Sequence, residues 1–209
     1  MKLQIAMDMT TIEEYWRILD EVHEYIDIIE IGNIGTYEGT RLIPMTKEKY
    51  PDKEVVWDQK AHLLYFNIPA IDMGADYVSM DVYASDKEYE LTVEYAHSKG
   101  CKVIGDMETC DMGSASMIRL ERLGVDQVSF FPNAHIENYP AGDTEQLEIA
   151  QKVLKRCEMC TYGGLTVDNI KPVLALKPDI VAVGAGLFKA KDPKLAAKTI
   201  KEMMNELEK

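Results

Sequence analysis

Basic residues are scarce: 23 Lys and Arg stand against 36 Asp and Glu in 209 residues, a formal net charge of -13. Such an excess repels phosphodiester backbones and anionic membrane surfaces, so it argues against nucleic-acid and membrane partners. It leaves room for a small phosphorylated ligand, because a local cluster of backbone N–H groups or one divalent cation outweighs the global field. Long apolar runs are also missing. The N-terminus, Met1-Lys2-Leu3-Gln4-Ile5-Ala6-Met7-Asp8, lacks the apolar core of a signal peptide, and no stretch approaches the roughly 18 apolar residues of a membrane span. The expectation is a cytoplasmic protein. Cysteine is sparse: Cys101, Cys110, Cys157 and Cys160 contain one C-x-x-C pair and no second pair at zinc-ribbon spacing, which predicts reduced thiols. Low-complexity tracts and long linkers are absent. With 46% hydrophobic residues, the chain reads as one domain over residues 1–209.

What is present is a repeat of short Val- and Ile-rich runs alternating with longer amphipathic segments, the pattern of βα units. Eight strands are predicted: Leu3 to Met7, Asp27 to Ile31, Glu54 to Trp57, Tyr77 to Met80, Lys102 to Asp106, Gln127 to Phe131, Met159 to Tyr162 and Ile180 to Val183. Turns precede several of them at Gly74, Gly100, Gly124 and Pro178, where Gly or Pro ends a helix. The strand runs are nearly continuous in apolar residues, as parallel strands buried on both faces require. An open dinucleotide-binding sheet would carry G-x-G-x-x-G after its first strand, yet Asp8-Met9-Thr10 follows here. The predicted fold is therefore an α/β closed barrel, the TIM (β/α)8 type.

In such a barrel the C-terminal ends of the strands face the active site. Charged residues stand there on four strands: Asp8, Glu30, the pair Asp58 and Lys60, and Asp106, with Asp81 and Glu108 in second rank. Carboxylates converging on one lysine repel one another unless a cation or the lysine compensates them, which points to a site for a hard divalent ion such as Mg2+. Residues i and i+2 of a strand point the same way, so Asp58 and Lys60 are expected to share the cavity. A lysine beside aspartate stays protonated and suits oxyanion stabilisation or proton delivery. Gly163-Gly164 after strand 7 and Gly184-Ala185 after strand 8 fall where barrels bind phosphate through backbone N–H groups.

Taken in order, Leu3 to Asp8, Ile28-Ile29-Glu30-Ile31-Gly32, Asp58-Gln59-Lys60, Gly163-Gly164-Leu165, Val183-Gly184 and Lys191-Asp192-Pro193 resemble the 3-hexulose-6-phosphate synthase and 3-keto-L-gulonate-6-phosphate decarboxylase family, within the orotidine-monophosphate-decarboxylase-like superfamily. The resemblance spans essentially the whole chain. It implies a ribulose-phosphate-binding barrel, a homodimer, and a Mg2+-stabilised ene-diolate derived from a sugar phosphate. It implies Glu30 and Asp58 as metal ligands, Asp8, Lys60 and Asp106 as the catalytic cluster, and Gly163, Gly164, Gly184 and Ala185 at the phosphate. The reaction implied first is aldol addition of formaldehyde to ribulose 5-phosphate.

The chain also departs from the family pattern. Leu63 replaces the second aspartate of D-x-K-x-x-D, Phe131 falls where the family has a proton-transferring histidine, and Tyr162 stands where a smaller residue is usual. His62 and His135 are the residues that could substitute, whereas His23 and His97 fall on helices remote from the strand ends. Decarboxylation of a 3-keto-L-gulonate 6-phosphate, sugar-phosphate epimerisation and a non-catalytic sugar-phosphate-binding role stay open beside the aldol reading.

Overall fold

The computed structural model describes residues 1–108, 113–131 and 144–207. Strands β1 (Lys2–Ala6), β2 (Ile28–Ile31), β3 (Glu54–Ala61), β4 (Tyr77–Asp81), β5 (Lys102–Asp106), β6 (Gln127–Phe130), β7 (Glu158–Thr161) and β8 (Ile180–Val183) are parallel and close into a barrel in chain order. Closure joins β8 to β1 in the register Lys2↔Ile180 to Ile5↔Val183. Around the barrel run α1 (Ile12–Val22), α2 (Ile34–Glu38), α3 (Leu42–Lys49), α4 (Leu64–Asp72), α5 (Asp86–Ser98), α6 (Ser114–Arg122), α7 (Glu145–Val153), α8 (Lys171–Ala175), α9 (Ala185–Phe188) and α10 (Pro193–Leu207). The expected TIM-barrel fold is thus observed. No helix among the described residues is long and apolar enough to cross a membrane.

The period of 2 sorts each strand into two faces. Outward residues such as Leu3, Ile5, Ile29, Ile31, Val55, Val78, Val103, Val128 and Val181 are buried against the helices. Helix α1 meets them with Tyr15, Ile18, Leu19 and Val22, an i, i+3, i+4, i+7 stripe, and Thr11 caps its N-terminus by accepting from Glu14 N–H. Inward residues Ile28, Val56, Tyr77, Ile104, Cys160, Ile180 and Ala182 form a separate apolar plug inside the barrel. Burial holds the Cys160 thiol well above its usual range, so it stays protonated, as expected of a core thiol.

The lower rim is closed by a fourfold device. Asp27, Asp76, Asp126 and Asp179 each precede an even-numbered strand. Their carboxylates accept the backbone N–H of Leu3, Val55, Val103 and Met159 on the preceding odd strands, at 2.7 to 2.8 Å. Their own carbonyls accept from Glu54, Lys102, Glu158 and Lys2 on the following odd strands. Each aspartate therefore spans two strands, and Asp179 closes the ring back onto β1. His97, expected to lie away from the site, donates from Nε2 to Asp126 Oδ2 at 2.8 Å on this rim. Asp126→Ala leaves the Val103 N–H without its acceptor, so it is expected to cost roughly 1–3 kcal/mol in urea unfolding.

Several expectations need correction: β2 starts one residue later than read, β4 ends one later and β6 one earlier. β1 and β7 each begin and end one residue earlier than read, because Lys2 and Glu158 already accept their places in the rim ladder through Asp179 and Asp126. The turn before β8 is made by Lys177, at φ 50, not by Pro178, whereas Gly74, Gly100 and Gly124 carry positive φ as expected. β3 does not stop at Trp57. Its pairing with β4 runs from Trp57↔Val78 to Ala61↔Met80, so four residue steps on β3 oppose two on β4, and Asp58, Gln59 and Lys60 bulge from the ladder.

Candidate active site

Above the apolar plug the barrel opens into a cavity of about 450 Å3 at the C-terminal ends of the strands. Asp8, Glu30, Asp58, Lys60, Asp106, Gly163, Gly164, Gly184 and Ala185 all line it, as does the second-rank Glu108. The structure thus brings together the charged cluster and the glycine loops.

Lys60 is brought in by a route different from simple alternation. Its φ of 47 is a left-handed conformation that costs a non-glycine residue roughly 1–2 kcal/mol. The bulge is held from β4, where the Ser79 hydroxyl accepts the Lys60 N–H at 2.8 Å and the Ser79 carbonyl accepts from the buried Asn67 amide at 3.1 Å. The side chain then folds back onto Asp58, with Nζ 2.5 Å from Asp58 Oδ2 and 3.3 Å from Glu108 Oε2. Burial, the largest single influence, opposes the ammonium charge, but Asp58, Asp106 and Glu30 together outweigh it and hold the pKa above the usual lysine range. Lys60 is a protonated cation here, unsuited to Schiff-base chemistry.

Two carboxyls bear the cost of the crowding. Burial first, and then repulsion from Asp58, raises Glu30 well above the usual carboxylate range, although Gln4 donates to it through its side-chain amide. Asp106 is pushed up to about 7 by burial and Asp58, against the pull of Lys60, the Glu108 N–H and Tyr162. Glu108 N–H donates to Asp106 Oδ1 at 2.9 Å, and the Tyr162 hydroxyl reaches both Asp106 oxygens at 3.0 and 2.9 Å. Asp8 is the exposed member and accepts from Asn33 N–H at 3.1 Å. Gly32 permits this, since a Cβ there would lie 2.4 Å from Asp8 Oδ1.

Among the described residues no three His, Cys, Asp or Glu side chains stand as a metal cage. What is present is a pair of hard oxygen donors, Glu30 and Asp58, where repulsion from Asp58 adds to burial in raising the Glu30 pKa. That donor set fits magnesium, which takes one or two carboxylates and completes its shell with water and substrate oxygens. On the opposite side of the cavity, Gly163 and Gly164 adopt φ 109 and 60, and a Cβ at Gly186 would fall 2.0 Å from the Leu165 carbonyl. The loops after β7 and β8 can pack this closely only with glycine at these points.

The histidines do not fill the place taken by Phe131. His62 is exposed and does not line the cavity, because Ala61 re-enters the ladder opposite Met80 and His62 follows it outward. His135 lies outside the described residues. Asp81 is also not at the cavity: its carboxylate accepts from Tyr83 N–H at 2.7 Å in the turn after β4. Two cavity residues, Gln4 and Ser129, and Ser79, which holds the β3 bulge, were missed by reading strand ends alone. Their signal is a polar residue at an inward position within an apolar strand.

A polar, lysine-centred pocket over glycine loops, on a barrel closed in chain order, invites comparison with known proteins. Chain and fold agree in where they point. The 3-hexulose-6-phosphate synthase 3 of Staphylococcus saprophyticus is 30% identical over 97% of this chain and 98% of its own. The crystal structure of 3-hexulose-6-phosphate synthase from Salmonella typhimurium superposes with a TM-score of 0.92 at 30% identity, covering 99% of this chain and all of that one. The 3-keto-L-gulonate-6-phosphate decarboxylase of Vibrio cholerae shares the fold, with a TM-score of 0.83 at 18% identity over 99% of this chain and 98% of its own. Residues 1–200 match the orotidine 5'-phosphate decarboxylase / HUMPS family, and the chain is a member of it.

Proposed function

We propose that the chain is a carbon–carbon lyase that builds an ene-diolate on a ketose phosphate, with aldol addition of formaldehyde to ribulose 5-phosphate as its reaction. The observation that carries this reading is the protonated Lys60 set among Asp58, Glu108 and Asp106 in the cavity, across from the glycine loops. Backbone N–H groups around Gly163, Gly164, Gly184 and Ala185 hold the phosphate, which fixes the reacting carbons over the lysine. Asp106, poised near 7, takes the proton from the carbon beside the carbonyl, and the electron pair moves onto the carbonyl oxygen. Lys60 places its positive charge against that oxygen. The carbanion carbon then bonds to the aldehyde carbon, whose oxygen is protonated at the Lys60 ammonium, and the proton on Asp106 restores the lysine. Asp8 orients the sugar hydroxyls at the open side.

Glu30 and Asp58 would hold Mg2+, which supplies positive charge against oxyanions developing on the substrate. Magnesium is accordingly expected to raise the melting temperature, and Asp58→Asn or Glu30→Gln to remove most of that rise. Equal stabilisation of all three proteins would reject these ligands. The protein acts in the cytoplasm on a small metabolite.

Assembly as a homodimer belongs to the same reading. Leu63, Tyr65 and Phe66, at the start of α4 beside the cavity rim, are 45%, 75% and 59% exposed, an apolar cost that a second copy removes. Sedimentation at micromolar concentration should give a dimer that Phe66→Glu dissociates; a wild-type monomer would contradict it.

Phe131 favours one other reading, a sugar-phosphate-binding protein without turnover, because an aromatic ring stands in the cavity wall and gives no proton. Incubation with ribulose 5-phosphate, formaldehyde and magnesium separates the two. The lyase reading expects a hexulose 6-phosphate as product; phosphate binding without product or proton exchange supports the alternative.

A further inference from the structure

The cavity contains a contact that the reaction outlined above does not use. Tyr162 follows β7, and its hydroxyl crosses the barrel to Asp106 on β5, 3.0 Å from Oδ1 and 2.9 Å from Oδ2. A phenol has one proton to give, so it is shared between the two carboxylate oxygens and restricts rotation of the carboxylate about its Cβ–Cγ bond. The ring is itself fixed. Phe131 packs against it, tilted by 59° at 5.1 Å between centroids, and Phe131 is seated on Gly163, where a Cβ would lie 2.5 Å from the ring. The Tyr162 N–H also donates to the Phe130 carbonyl at 3.3 Å. Burial and the Asp106 charge keep the phenol protonated.

Asp106 thus has the Lys60 charge on one side and a fixed donor on the other, with the Glu108 N–H at Oδ1. We propose that Tyr162 is a positioning residue of the reaction, holding the Asp106 carboxylate in the one orientation that faces the reacting carbon, with Phe131 as the wall that holds Tyr162. This inference rests on the lyase reading. Phe131 and Tyr162 then form one unit: the first gives up proton chemistry to become the support of the second. A base held within a few tenths of an ångström of its proton is worth far more than a mobile one, and a donor that sets its orientation acts on turnover, not on binding.

The test compares wild type, Tyr162→Phe, Asp106→Asn and the double variant, using exchange of the ribulose 5-phosphate α-proton into deuterium oxide with magnesium present. Calorimetry of ribulose 5-phosphate binding and melting temperature are measured alongside. Tyr162→Phe keeps the ring, so folding and affinity should stay within about threefold of wild type while exchange at saturation falls on the order of tenfold. Because Tyr162 acts through Asp106, adding Tyr162→Phe to Asp106→Asn should change the residual exchange by less than about twofold. Wild-type exchange in Tyr162→Phe, or losses that multiply in the double variant, overturns the inference and leaves the lyase reading intact. A wild-type protein that binds ribulose 5-phosphate and exchanges nothing overturns both.

Discussion

Lys60→Ala should lower turnover of ribulose 5-phosphate by a factor on the order of 10² or more while the phosphate still binds. The size of the effect follows from position: Lys60 Nζ lies 2.5 Å from Asp58 and 3.3 Å from Glu108, in a cavity where Asp106 and Glu30 add to the negative field. Without the ammonium, a developing oxyanion would form beside uncompensated carboxylates. Stability should move too, since removing the central cation of a partly buried cluster costs roughly 3–5 kcal/mol. Magnesium bound to Glu30 and Asp58 would return part of it. Backbone strain separates the contributions. Alanine inherits the φ of 47 with its penalty, whereas Lys60→Gly relieves it, so the glycine variant should be as inactive but about 1 kcal/mol more stable than the alanine variant. Turnover within threefold of wild type in either variant would remove Lys60 from the reaction.

Asp106→Asn should lower turnover by a factor on the order of 10² or more, leaving a small residual, and raise stability at neutral and alkaline pH. The folded protein holds Asp106 at about 7, pushed up by burial and by Asp58, above the ordinary aspartate value of 3.8. A carboxyl with a raised folded pKa binds more protons folded than unfolded between those values. Its contribution to stability is therefore largest below pH 4 and lost as pH rises toward 7. Wild type should accordingly lose stability from this group between about pH 4 and 7, and Asp106→Asn should not. The asparagine keeps an oxygen for Tyr162 and the Glu108 N–H while discarding a charge the fold carries at a cost. A gain of a few kcal/mol at pH 8 corresponds to a rise on the order of 10 °C for a chain of this length. Equal melting temperatures at pH 8, with activity lost, would mean that Asp106 is not under electrostatic strain.

Much of this site can be read before folding is considered, because the barrel turns strand ends into cavity walls. Asp8, Glu30, Asp58, Lys60 and Asp106 are separated by up to 98 positions, yet they stand at the ends of four apolar runs, and all line one cavity. Local rules also place Gly74, Gly100 and Gly124 at positive φ. Non-local contacts are what escape. The β3 bulge depends on Ser79, 19 residues away, so the alternation that pairs Asp58 with Lys60 reaches the right neighbours by the wrong geometry. Tyr162 looks like an obstruction until Asp106, 56 residues earlier in the chain, receives its hydroxyl. His62 has the right chemistry and the right spacing, and the same bulge sends it outward. In the sequence Asp27 looks like the start of a strand and Asp76, Asp126 and Asp179 like ordinary turn residues, since only the pairing of the strands reveals that each serves two of them.

The most direct measurement is the fate of the α-proton of ribulose 5-phosphate, followed by NMR in deuterium oxide with no aldehyde present. An enzyme that forms the ene-diolate at Asp106 and Lys60 must wash this proton out, faster with magnesium than with chelator, and the wash-out must disappear in Lys60→Ala. Retention of the proton in the magnesium-loaded wild-type protein, with the sugar phosphate bound, would contradict the account.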